Sequence, residues 1–219
     1  MDPWLEHFAR TAFRRSSDTA HDLKTPLNVA VLNLELLRMR VRKVAGEGDE
    51  KLEGYLQAVE LELRRLARIF DAFFLLSTPP KNEERTAIDV AAIAVEAAAD
   101  SGFALDGADA FETVAHASRI RQAIRLFFEG STKVLRAEGR TAMASQDGDR
   151  YSVAVAGFPV EPDLELTKIF KFYYTDPDGN PDLSLATARL VIETCGGELL
   201  ATSESDKVVL RLSVPPGEQ

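Results

Sequence analysis

Basic charge, cysteine and long apolar runs are all scarce in this chain. Its 26 lysines and arginines are outnumbered by 35 acids, for a formal net charge of −9. Recognition of nucleic-acid phosphates needs a basic surface, so no nucleic-acid partner is expected. The single cysteine, Cys195, cannot form an internal disulfide, which fits a reducing cytosol; its apolar sequence neighbours mark it as a small core residue. No window approaches the ~20 apolar residues of a membrane span. The N-terminus also lacks the apolar h-region of a signal peptide. A cytoplasmic protein without membrane contact is expected. What the chain does hold is apolar material, 45% of 219 residues, enough for one large domain or two small ones.

That material is patterned in two ways. Leu23, Leu27, Ala30, Leu34, Leu37, Val41 and Val44 follow alternating spacings of four and three, and Leu52, Leu56, Val59, Leu63, Leu66, Phe70 and Phe73 do the same. Between them, Ala45-Gly46-Glu47-Gly48-Asp49 ends one helix and starts the next, with Asp49 as N-cap. Two such helices make an antiparallel hairpin with an apolar seam on each. A lone hairpin leaves much of that seam wet. A second copy buries it in a four-helix bundle, so a homodimer is expected in preference to packing against the rest of the chain. An upstream helix with Trp4, Leu5, Phe8 and Phe13 extends the bundle, and His7 is a solvated residue on it. Ser77-Thr78-Pro79-Pro80-Lys81-Asn82 breaks the pattern. The expected division is a hairpin over 1–78, a linker over 79–85 and a second domain over 86–219.

In the second domain, helix and strand signals alternate. Ile88 to Asp100 reads as a strand merging into an alanine-rich helix, and Ser118 to Arg136 as a helix with Ile120, Ile124, Phe127 and Phe128 on one side. Tyr151 to Val155 alternates as a strand, and Leu183 to Cys195 is a helix closed by Gly196-Gly197. Glu198 to Thr202 and Lys207 to Val214 then form an antiparallel pair around a Ser-Asp turn. Such a mixture predicts an α+β sandwich with helices on one face of a sheet.

The chemistry is concentrated in Ala20-His21-Asp22-Leu23-Lys24-Thr25-Pro26-Leu27-Asn28, near the start of the first helix. Positions i and i+4 share a helix face, which sets His21 beside Thr25. Pro26 has no N–H and leaves the Asp22 carbonyl without its helical donor, bending the rod next to His21. Asp22 can hold the imidazole tautomer and accept its proton, making the other ring nitrogen a better nucleophile. A solvated histidine on an ordinary amphipathic helix would not account for the proline, which costs ~3 kcal/mol in a helix interior.

This stretch resembles the phosphoacceptor box of two-component sensor histidine kinases, His-(Glu/Asp)-x-x-(Thr/Asn)-Pro-Leu; His21, Asp22, Thr25, Pro26 and Leu27 all fall in place. The resemblance implies that His21 is the phosphoacceptor, that Asp22 orients it, and that Thr25 positions a water for dephosphorylating a receiver. Lys24 is a candidate electrostatic support for the phosphoryl oxygens, or simply a solvated lysine. The twenty residues ahead of His21 are too few for an independently folded sensor, so the signal is expected from a partner, or the protein relays phosphate without sensing.

Residues 86–214 resemble the ATP-binding domain of the same kinases in framework. The anchors are Arg121-Gln122-Ala123-Ile124, Lys168-Ile169-Phe170 with Phe172-Tyr173-Tyr174, and Ile192-Glu193-Thr194-Cys195-Gly196-Gly197-Glu198-Leu199. The nucleotide-handling positions depart from the family. Gly130 stands where the family has a Mg²⁺-holding asparagine, and Ala156-Gly157-Phe158-Pro159-Val160 replaces Asp-x-Gly-x-Gly. Asn180-Pro181-Asp182-Leu183-Ser184-Leu185 replaces the second glycine box, adding a carboxylate where a phosphate-cradling loop needs bare N–H donors. Tyr173, Tyr174, Asp176 and Asp178 offer an unusual site, though Asp176-Pro177-Asp178-Gly179 reads more simply as a turn. His116 reads as a loop or cap residue without a role.

The expected function is a dimeric histidine phosphotransferase with a degenerate ATP-binding domain. His21 would relay a phosphoryl group between aspartates of response-regulator receiver domains, with Mg²⁺ on the receiver and no cofactor or metal of its own. Other roles stay open: a divergent kinase that autophosphorylates His21 from ATP, a non-catalytic receiver-binding inhibitor, or a phosphatase relying on Thr25 more than His21.

Overall fold

The structure is a computed structural model that describes residues 30–41, 50–77, 85–107, 109–171, 174–177, 179 and 182–216. The chain divides into two compact units, Met1–Pro79 and Pro80–Gln219. His7, the expected turn at 45–49 with its Asp49 cap, and the expected linker residues 79–84 lie outside the described residues.

The first unit contributes helix α1, residues 30–41, and helix α2, Glu50–Ser77. Arg38 pairs with Glu53 and Glu60, while Glu35, further back along α1, meets Arg64, further along α2. That order is the signature of antiparallel helices. Arg64 also pairs with Glu60 at 2.6 Å, so five side chains form one network across the hairpin. Leu56 is buried, but Leu37, Val59 and Leu66 from the heptad seam stay 51, 49 and 43% exposed. No helix among the described residues is long and apolar enough to cross a membrane.

The second unit runs β1 (Thr86–Asp89), α3 (Val90–Asp100), β2 (Leu105–Asp106), β3 (Glu112–Ala115), α4 (Ala117–Val134), β4 (Thr141–Asp147), β5 (Arg150–Gly157), a 3₁₀ turn (Lys168–Phe170), α5 (Ser184–Thr194), β6 (Glu198–Glu204) and β7 (Lys207–Val214). β1 and β3 pair antiparallel. The main sheet has the order β2-β4-β5-β7-β6, with only the β2–β4 pair parallel. Period-two alternation sends Val153, Val155, Leu210 and Leu212 inward, all fully buried, under Ile120, Ile124, Phe127 and Phe128 of α4. The opposite sheet face carries Met143, Leu200 and Arg211 in the open. The fold is the expected α+β sandwich.

Local chemistry explains the boundaries. Asp89 caps α3 by accepting from the amides of Ala91 and Ala92. Gly148-Asp149 and Ser205-Asp206 are two-residue hairpin turns, each with positive φ at the first position. The expected Asp176–Gly179 turn is present, with the Gly179 amide donating to the Asp176 carbonyl at 2.9 Å. Cys195 differs from expectation. It is the partly exposed C-cap of α5, placed at a helix end by the Gly196-Gly197 stop and not in the core.

Candidate functional site

The acceptor residues His21, Asp22, Lys24 and Thr25 lie outside the described residues, as do Tyr173, Asp178, Asn180 and Pro181. The other positions at which the second unit departs from the resembled motifs are described, and they fall on three elements: the end of α4, the segment after β5, and the start of α5.

Gly130 sits on the buried face of α4, facing Leu185 of α5. A Cβ built there would lie 2.6 Å from Cγ of Leu185 and 3.0 Å from its backbone nitrogen. Leu185 is itself only 2% exposed, so its side chain fills the space in front of Gly130. The next residue, Ser131, donates its hydroxyl to the Phe127 carbonyl at 2.7 Å and stays within its own helix.

The segment after β5 is tied to the same end of α4. The Arg136 amide donates to the Phe158 carbonyl at 2.8 Å and the Val160 amide to the Val134 carbonyl at 2.9 Å, so this backbone is used for structure. The Phe158 ring lies under the Lys207 ammonium, 5.2 Å from its centroid, and within 3.3 Å of where a Cβ of Gly139 would be.

At the start of α5, Asp182 is buried and accepts from the Ser184 amide at 3.0 Å and from its hydroxyl at 3.4 Å. The carboxylate thereby takes a first-turn donor that an anion would need. The Asp182 amide donates to the Tyr174 carbonyl at 3.1 Å. Tyr174 is buried, and its hydroxyl has no hydrogen-bond partner among the described residues. Burial, then the charges of Glu161, Asp182 and Asp176, push its pKa up to about 12, so it stays a neutral phenol. Spacing flagged Gly130 and Asp182 as departures. It did not reveal that Leu185 fills the one, a contact between distant segments, or that the other turns its carboxylate onto Ser184.

His116 occupies the N-cap position of α4, as expected of a cap, but its side chain makes no cap bond. No group of three or more His, Cys, Asp or Glu among the described residues could hold a metal ion.

Residues 14–81, which include His21, Asp22, Lys24 and Thr25, match the family model of the His Kinase A (phospho-acceptor) domain. The fold is similar to Acinetobacter baumannii histidine kinase AdeS, at 16% identity over 89% of this chain and 97% of that one, with TM-score 0.55. Full-length ShkA, solved in complex with AMPPNP, is similar at 17% identity over 92% of this chain and 45% of that one, with TM-score 0.53. The catalytic domain of histidine kinase ThkA matches at 19% identity over 61% of this chain and 97% of that one, with TM-score 0.50. At such identities the structures establish the fold. Among curated proteins, none matches this sequence significantly. Residues 14–81 thus match a phosphoacceptor helical domain, and the second unit has the fold of the sheet domains in histidine kinase structures.

Proposed function

We propose that this histidine kinase-like chain is a histidine phosphotransferase, in which His21 takes a phosphoryl group from the aspartyl phosphate of one receiver domain and passes it to the aspartate of another. The observation that carries the reading is Leu185 seated against Gly130. A side chain able to hold Mg²⁺ has no room at that position, and Asp182 sets a carboxylate on the helix start where phosphates would be cradled. Phosphoryl transfer from ATP depends on a metal and positioned donors to hold negative charge. Leu185 in front of Gly130 and the Asp182 carboxylate together argue against a Mg²⁺–nucleotide of the family type here.

The chain's own chemistry is then short. The unprotonated ring nitrogen of His21 attacks phosphorus in line as the bond to the aspartate oxygen breaks and the carboxylate leaves. Asp22 accepts a hydrogen bond from the other ring N–H, holding the tautomer and offsetting the charge that develops on the imidazole. The reverse sequence loads the second receiver. Mg²⁺ comes with the receiver, Lys24 supports the phosphoryl oxygens, and Thr25 positions a water when a receiver is dephosphorylated. The apolar positions left open on the hairpin, Leu37, Val59 and Leu66, support a homodimeric four-helix bundle. The second unit serves as a receiver docking surface that keeps its fold without a ligand.

The test is transfer between two purified receiver domains, one loaded with labelled phosphate. Label should move to the second receiver with the native chain and stay put with His21→Ala. Movement with the variant would refute the reading. Autophosphorylation of His21 from ATP would instead favour a divergent kinase.

A further inference from the structure

We draw no further inference here: the strongest candidate, the open face of the five-stranded sheet where Met143, Arg211 and Leu200 share one cross-strand row, is an exposed surface patch, and nothing in the structure shows what covers it.

Discussion

Leu185 of α5 packs in front of Gly130 of α4, and the absence of a side chain at one position is what admits the other. Restoring an asparagine at 130 meets the Leu185 side chain and its backbone nitrogen, and the backbone cannot step aside. Gly130→Asn should therefore destabilise the second unit by about 1–3 kcal/mol, a melting-temperature loss of roughly 3–10 °C, partly recovered by adding Leu185→Ala. Asp182→Ala removes the buried acceptor of the Ser184 amide and should cost about 1–3 kcal/mol, measured by denaturant unfolding. Two buried phenols add a pH dependence. Tyr151 and Tyr174 have pKa values raised from 10.0 to about 12, both chiefly by burial, so the folded state holds these protons more tightly than the unfolded one. Their contribution is full below pH 10 and is lost as pH rises toward 12. Melting temperature should fall over that interval, and less steeply in a Tyr151→Phe, Tyr174→Phe double variant. The motif holding His21, Asp22 and Thr25 was legible because it is local, and it lies within the residues that match the phosphoacceptor family model. The packing of Leu185 was not, since 55 residues separate it from Gly130.

At the scale of elements, legibility followed the size of the inward side chains. Alternating Tyr151, Val153 and Val155 make β5 evident from sequence, as Val208, Leu210 and Leu212 do for β7. Strand β4 gives no such signal because its inward residues are Ala142 and Ala144, small enough to lie under α-helical bulk without a hydrophobic period. β2 and β3 are too short to show one, at two and four residues. In the hairpin the heptad spacing predicts both helices, and the exposure of Leu37, Val59 and Leu66 says where a second hairpin would sit. The Arg38 and Arg64 network lies on the surface and adds little stability of its own; its use is to set register between the helices. Val59→Glu or Leu66→Glu should convert a dimer to a monomer in light scattering, with the second unit's thermal transition unchanged. A dimer that survives both substitutions would move the interface elsewhere.

For the whole molecule, the proposed function unites a hairpin that would carry phosphate on His21 with a sheet domain in which Leu185 fills the space before Gly130. The most direct measurement offers the chain two donors side by side: a receiver domain carrying labelled aspartyl phosphate, and γ-labelled ATP with Mg²⁺. Acid-labile label on His21 from the receiver and none from ATP is the predicted result, with His21→Ala silent in both arms. Label on His21 from ATP, or none from any cognate receiver while the protein is folded, would contradict it.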